Sequence, residues 1–573
     1  MDIGNQPSNT LNKVIENPFM HMDVTSIDAV SISHVHQDHI GNCIRLVTAG
    51  YTWPIYMSEK SKAFAKVIFD DSLKHEKEEV EEYNSRIERI IKELEEAWFT
   101  VRVNNHAPET RHMKNPHEKI SDRFLSIERM FEGRIGDILR DYAIKKTKYR
   151  RRVKEILCDS SITEKNVADM LGEIPIHENK SRDGFLEACI ALKREIEDSQ
   201  HNFHGMQHEE AKRKLEKYNI NSKDDIYDLN KQLALMEFDE NDVLQVIKQI
   251  KVLPLHQKIS IIPWILDVTA YSAGHVEGAI QQVWTAHEDN TSKSWMYTGD
   301  LGRTKQPSWV GKPEVMEEPL DYVITEWTYA GRSHNDRLGE IKKIITDINA
   351  AKDICLVPCF ALQRMQDVLC VLVKAIKNNE LKLGAGEKIY CHSPLGYNLT
   401  KEFISQDTTG TYKDLSNREI LTWIERHEEV MDIMSKPGRK IIVCSGGMME
   451  RGTITQYIDK AHSNKDATIV LTGFQVPGTN WYKILHGEFD EPVYLNNKVV
   501  TENHARIGYY PLSGHADHDE LRTHAISLHY TPTAQITIVH GGEARHVLAQ
   551  DIKATLPQIT INVPDENNIT FTF

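Results

Sequence analysis

The 573-residue chain reads as an α/β protein interrupted by a large helical insertion. Three observations predict this. From about residue 258 onward, short apolar runs alternate with helical stretches, the pattern of a parallel sheet. Between about residues 70 and 255 that pattern gives way to highly charged segments with helical apolar spacing. Histidines and aspartates also recur directly after strand-like runs, with glycines beside them.

Taken in order, IDAVSIS (27–33) is a short buried-strand pattern, HVHQDH (34–39) follows it, GNCIRLV suits a helix, and WPIYMS (53–58) suits a strand. In the insertion, EEVEEYNSRIERIIKELEEAWF repeats apolar residues at three- and four-residue spacing (Val80, Tyr83, Ile87, Ile91, Leu94, Trp98). EKISDRFLSIERMFEGRIGDILRDYAIKK, FLEACIALKREIE and DVLQVIKQIKVL continue it, with partial coiled-coil character. RDYAIKKTKYRRRVK (140–154) sets Tyr142 and Tyr149 among basic residues, which suits either nucleic-acid contact or a solvated helix face. HNFHGMQH puts His201, His204 and His208 on one helix face, but Gly205 weakens that helix and no further ligand completes a metal site. Downstream, QQVWTA and SWMYTG flank a hairpin turn. DYVITEW, DICLVPCF, EKIYCHS, RKIIVCSG, ATIVLTGF and AQITIVH are then strand candidates.

The bulk composition narrows the class. The chain is 40% hydrophobic and 27% charged, as in globular proteins. No apolar run approaches the roughly 20 residues a membrane span needs, so no membrane association is expected. MDIGNQPSNT lacks the basic and apolar regions of a secretory signal. Eight cysteines without a CxxC pair suggest reduced core residues and a cytoplasmic protein. A net charge of -15 argues against generic long-range attraction to nucleic acid. A polyanionic substrate then needs a locally basic groove or metal ions.

The metal-binding potential lies in one repeated grammar: apolar run, then His or Asp, then Gly. In an extended loop, residues two apart share a side, so His34 and His36 can face one metal. Asp38 and His39 begin the next helix and can face a second. His275 in YSAGHVEGA has glycines on both sides. Asp300 in MYTGDLGR is a carboxylate able to bridge two metals, and His540 ends ITIVHGGE. Imidazole with carboxylate suits zinc, with manganese or iron as the alternatives.

HVHQDH, SAGHVEG and TGD resemble the metal-binding motifs of the metallo-β-lactamase fold. Later segments resemble its β-CASP branch of nucleic-acid-processing nucleases, the group of the cleavage-and-polyadenylation nuclease and ribonuclease J. ITEWTYAGRSH is similar to motif A (Glu326), YPLSGHADHDEL to motif B (His515) and IVHGGEARH to motif C (His540). VPCFALQRMQDVL, HSPLG, CSGGMMERG and TGFQVPGT fall between them in the family's order. The resemblance covers residues 27–60 and about 260–573, and not the helical zone.

The resemblance implies an αββα metallo-β-lactamase sandwich with an inserted β-CASP α/β domain. The sandwich is expected in residues 1–70, 257–312 and 491–573, the helical insertion in 71–256 and the β-CASP domain in 313–490. The family's first strands end in D-x-G. Only Asp2 and Gly4 stand for them here, so the N-terminal strands are expected to be truncated. Motif A is EWTYAG rather than the commoner EST-YG form, and His392 stands where an aspartate is common.

By the same resemblance, His34, His36 and His275 hold one zinc, Asp38, His39 and His540 the other, and Asp300 bridges them. Asp38, Glu326 and His515 are the implied catalytic residues, His515 as a general acid oriented by Glu326. The implied activity is a two-zinc ribonuclease using an activated hydroxide and leaving 5′-phosphate and 3′-hydroxyl ends. A DNA nuclease or other phosphodiesterase, and a non-catalytic scaffold of an RNA-processing complex, are the alternatives. Histidine at motif C favours RNA, single-stranded, over DNA. Arg332, His334 and Arg364 are candidates for substrate phosphate contact or ordinary surface charge. The heptad-like helix near 76–98 suits intramolecular packing or a homo-oligomer contact.

Overall fold

A computed structural model of the chain describes Phe19 and residues 22–105 and 131–564, apart from 132, 160, 178–179, 223–224, 227–235, 237, 290, 306–308, 450–451, 489–492, 497 and 542–543. Most of the segment expected to lack the family's first strands therefore lies outside the described residues. So do the side chains of His201, His204 and His208.

The chain divides into two compact units, residues 1–77 with 236–573, and residues 78–235. In the first, β1 (Val30–Ser31), β2 (Ile55–Met57) and β3 (Ile250–Val252) form a parallel sheet in that order. β4 (Lys258–Ile262), β5 (Leu266–Ser272), β6 (Ile280–Glu288), β7 (Thr291–Tyr297) and β8 (Leu320–Thr325) belong to a larger mixed sheet. β6 and β7 form the expected hairpin, in register so that Trp284 faces Trp295 with the rings stacked. β9 (Ile354–Cys359), β10 (Ile389–His392), β11 (Leu421–Trp423), β12 (Lys440–Ser445) and β13 (Thr468–Leu471) lie in a separate parallel sheet. β14 (Val493–Leu495) and β15 (Lys498–Val500) form a small hairpin, and β16 (Arg506–Tyr509) returns to the parallel sheet. β17 (Tyr530–Ile538) and β18 (Thr560–Asn562) complete the mixed sheet, in order β18-β17-β8-β7-β6-β5-β4.

Sheet lies against sheet where Tyr56 and Leu253 pack on Val268, Ala270, Ile280 and Trp284. Helices Cys43–Thr48 and Glu240–Gln249 cover the outer face of the small sheet through Ile44, Val243 and Val246. Helices His518–Ser527 and Arg545–Thr555 cover the far face of the mixed sheet through Leu521, Ala525, Leu548 and Ile552. The result is a helix–sheet–sheet–helix sandwich. The parallel sheet, order β11-β10-β12-β9-β13-β16, carries helices on both faces. Its strands ICLVPC and KIIVCS are accordingly apolar throughout rather than alternating.

Pairing moves three domain limits. The insertion was expected to run to 256, but the helical unit ends at Leu235, because Glu240–Gln249 packs on Cys43–Thr48 and β3 pairs with β2. The β-CASP segment was expected over 313–490, but β8 pairs in parallel with β7 and β17, and β16 pairs with β13. Strand partnership is non-local, so composition alone did not locate these limits. All eight cysteines are buried.

The helical unit has its own cores. Phe185, Val153, Ile156 and Val167 anchor one of them, and Tyr142 and Tyr149 pack against it. Tyr142 meets the Phe185 ring edge-on at 5.4 Å, so these tyrosines are spent on packing while Arg150, Arg151 and Arg152 stay exposed. Lys193 is fully buried, and its Nζ donates to the carbonyls of Leu157 (3.1 Å) and Asp159 (2.6 Å). It thereby satisfies acceptors at the C-terminal end of helix Thr147–Cys158.

Candidate metal centre

Each candidate ligand follows a strand, and backbone bonds between strand ends draw them together. Beyond β1, Ser33 carbonyl accepts from Ile280 N (2.9 Å), which ties the HVHQDH loop to β6. His36 is the residue before helix Gln37–Ile40, so His34 and His36 stay in extended chain while Asp38 and His39 sit on its first turn. Past β5, Gly274 (φ +66°) and Gly278 (φ +82°) turn the chain around His275. At Gly274 an added Cβ would also meet the backbone of Lys312 and Pro313 at 2.6 Å. Past β8 and β17, Val539 N donates to Thr325 carbonyl and Trp327 N to His540 carbonyl, which sets Glu326 beside His540. His540 itself has left-handed backbone (φ +61°), a strained conformation for a non-glycine residue.

Three groups of potential ligand atoms result, each within 4.8 Å: His34, His36, His275 and Asp300; Asp38, His39 and His540; and Asp300, Glu326 and His515. Asp300 is the hub. Its Oδ2 lies 3.7 Å from the Nε2 of both His34 and His275 and 3.4 Å from His39 Nε2; its Oδ1 lies 3.3 Å from His540 Nδ1. His36 Nδ1 is 2.9 Å from His34 Nε2 and 3.3 Å from His275 Nε2. Asp38 Oδ2 is 3.6 Å from His39 Nε2 and 3.5 Å from His540 Nε2.

This donor set fits divalent cations. Asp300 Oδ1 is buried without a hydrogen bond, a costly state for a carboxylate unless a cation compensates it. Burial pushes His34 and His275 well below the ordinary imidazole range and His36 to about 4, so they are neutral, the form that binds metal. Burial opposes ionisation of Asp300, but His39 and its other imidazole neighbours hold it well below the usual carboxylate range. Burial likewise works against Asp38 and His540, yet their mutual bond brings Asp38 to about 2 and His540 to about 9.

Beside the hub, Glu326 is buried. Its Oε1 accepts from Leu301 N (2.7 Å) and lies 3.4 Å from His515 Nδ1; its Oε2 accepts from Thr328 N (3.0 Å). Burial lowers His515, but the charges of Glu326 and Asp300 outweigh it and raise its pKa. The opposite ring nitrogen, Nε2, lies 3.9 Å from Asp300.

The three candidate substrate residues part ways. His334 Nε2 donates to the His515 carbonyl (2.8 Å) and its ring lies 4.6 Å from that of Tyr329, so it positions the His515 loop. Arg364 Nη1 donates to Thr472 carbonyl (2.6 Å), a use within the fold. Arg332 stays exposed, its guanidinium 4.9 Å from the Phe474 ring. Sequence reasoning did not single out Ser33, whose Oγ is 3.0 Å from His34 Nδ1, although it directly precedes that histidine. Nor did it single out Gly302, where a Cβ would lie 1.8 Å from the Gly274 carbonyl oxygen; the glycine of TGDLGR was the available signal.

Residues 365–484 match the Beta-Casp domain family. The chain is 27% identical over 340 residues to the cleavage and polyadenylation specificity factor subunit 3 of Dictyostelium discoideum, covering 57% of this chain and 42% of that protein. It is 26% identical over 297 residues to Endoribonuclease YSH1 of Mycosarcoma maydis, covering 49% of this chain and 32% of that one. To Probable RNase MJ4 of Methanocaldococcus jannaschii it is 26% identical over 291 residues, 49% of this chain and 63% of that protein. The chain thus spans less than two thirds of the length of these curated relatives. It carries a Beta-Casp domain, and its sandwich with a separate parallel sheet fits the metallo-β-lactamase β-CASP fold.

Proposed function

We propose that the chain is a metal-dependent ribonuclease that hydrolyses phosphodiester bonds and leaves 5′-phosphate and 3′-hydroxyl ends. One observation carries this: two imidazole-rich ligand groups meet at Asp300, with Glu326 and His515 forming a third group on the same carboxylate. When bound, two divalent ions supply Lewis acidity, lowering the pKa of a water from 15.7 toward about 7 and neutralising charge on phosphate oxygens. Zinc is the ion we assign, because imidazole and carboxylate suit it.

The protein's own residues do the rest. His34, His36 and His275 hold one side of the centre, Asp38, His39 and His540 the other, and Asp300 spans both. Asp38, on the exposed side, also helps to orient the attacking water. Glu326 Oε1 faces His515 Nδ1, which fixes the ring and favours its protonated form. His515 Nε2 then delivers its proton to the departing 3′-oxygen. No 2′-hydroxyl takes part in bond breaking. RNA as substrate is supported by the relatives, one named an endoribonuclease and another a probable RNase. A cytoplasmic location is our reading of eight cysteines that are all buried and form no CxxC pair.

End-labelled single-stranded RNA and DNA of one sequence, incubated with the wild type and with His515→Ala, test this. RNA cleavage by the wild type, slowed at least 100-fold in the variant with metal content unchanged, is expected. Cleavage of DNA alone would overturn the substrate assignment, and full activity in the variant would remove His515 as the acid.

A further inference from the structure

Phe360 is the first residue beyond β9, and the six residues of that strand are buried. Its own ring is 42% exposed, unusual for a large aromatic at the end of a core strand. Glycines hold it on two sides. A Cβ at Gly447, beyond β12, or at Gly473, beyond β13, would come within 3.1 Å of the ring. Gln475 fastens those two loops together, its Nε2 donating to the carbonyls of Gly447 (2.9 Å) and Gly473 (3.2 Å). The next residue after Gly473, Phe474, lies under the exposed Arg332 guanidinium.

Two independent links tie this aromatic ledge to the candidate metal centre. Gln363, three residues past Phe360, accepts from Glu277 N (3.0 Å), two residues past His275. Thr472 carbonyl accepts from Leu512 N (2.9 Å), three residues before His515. The rings of His275 and His515 are themselves 4.2 Å apart. The ledge therefore stands on the His515 side of the centre, and Tyr329, 5.7 Å from the His515 ring, lies on that side too.

We propose that Phe360 is a base-stacking platform for a nucleotide upstream of the scissile bond. This rests on the ribonuclease reading above. His515 protonates the 3′-oxygen that leaves, and that oxygen belongs to the upstream fragment, so groups on the His515 side meet the upstream strand. An exposed ring accepts any base through its face, and an arginine over a neighbouring ring adds a cation for the backbone. In a chain of net charge -15, such a contact offers affinity that does not depend on a basic surface.

The test pairs Phe360→Ala, Phe360→Leu and Phe360→Trp with single-stranded RNAs carrying one abasic nucleotide at successive positions on either side of the cleavage site. Both KM and the Kd of phosphorothioate versions are measured. One upstream abasic position is expected to raise KM and Kd of the wild type roughly 5- to 150-fold, the range for loss of one base–aromatic stack. Phe360→Ala should raise both by a similar factor on intact RNA and add little on that abasic RNA. Phe360→Leu, which keeps an apolar side chain, should behave like Ala, and Phe360→Trp should restore affinity. Additive effects at every upstream position, or an effect only downstream, would overturn the stack while leaving RNA cleavage standing. Absence of both RNA binding and RNA cleavage in the metal-loaded wild type would overturn both readings.

Discussion

Gly302→Ala should dismantle the metal centre without touching a ligand. Gly302 N donates to Ala273 carbonyl (2.8 Å), and the residue pairs in an isolated bridge with His515, so the loops of His275, Asp300 and His515 meet at this glycine. An alanine Cβ would lie 1.8 Å from Gly274 O, 2.1 Å from Gly274 C and 2.7 Å from His275 N. These are backbone atoms, which cannot rotate aside. Ordinary contact requires about 3.5 Å, so the strands must part by roughly 1.5 Å. Metal–ligand distances tolerate about 0.2 Å, so the His275 and Asp300 loops cannot both stay in place. Overpacking costs about 1–3 kcal/mol, too little to unfold a stable domain, whereas a misplacement of about 1 Å costs roughly 100-fold in rate. The assay is metal per chain by elemental analysis, with circular dichroism to verify folding. Gly384→Ala is the control, because its Cβ would meet only a Glu387 carboxylate oxygen, at 3.5 Å. Gly302→Ala is expected to be folded and to have lost most of its metal. A folded variant with full metal content would refute the reasoning that this contact holds the centre together.

Other perturbations follow from the same geometry. His36→Ala should reduce the metal bound per chain, since His36 Nδ1 stands between His34 and His275; elemental analysis checks it. Glu326→Gln keeps an acceptor for Leu301 N but loses the charge facing His515, so metal should remain while kcat falls roughly 100-fold, read by RNA cleavage at fixed metal loading. His392 is 6% exposed, its Nδ1 2.7 Å from Tyr457 Oη, and burial pushes it to about 4. Below pH 6.5 the unfolded chain takes up a proton at His392 that the folded chain refuses, so this residue should contribute a loss of about 3 kcal/mol of stability between pH 6.5 and about 4. Denaturant unfolding against pH checks it: His392→Asn should make the fall shallower than in the wild type, the other buried histidines keeping the rest of the slope.

Much of the site was legible because its grammar is local. A strand followed by His or Asp with glycine nearby marked His34, His36, Asp38, His39, His275, Asp300 and His540, and the structure draws these side chains to one place. The alternation of strands and helices likewise marked the parallel sheet. What escaped depends on partners far away in sequence. β16 looks like any short strand until it pairs with β13. Arg364 and His334 advertise charge but not the backbone carbonyls on which it is spent. The exposure of Phe360 depends on glycines 87 and 113 positions downstream, at Gly447 and Gly473, which no local window contains.

The proposed hydrolysis of RNA at a two-metal centre around Asp300 is tested most directly by a metal titration of chelator-stripped protein against end-labelled single-stranded RNA, with the product ends mapped. Activity should be absent at the start, rise to a plateau at about two equivalents of zinc, and yield 5′-phosphate and 3′-hydroxyl ends. A protein that binds two equivalents and leaves RNA intact, or that yields 2′,3′-cyclic phosphates, would contradict it.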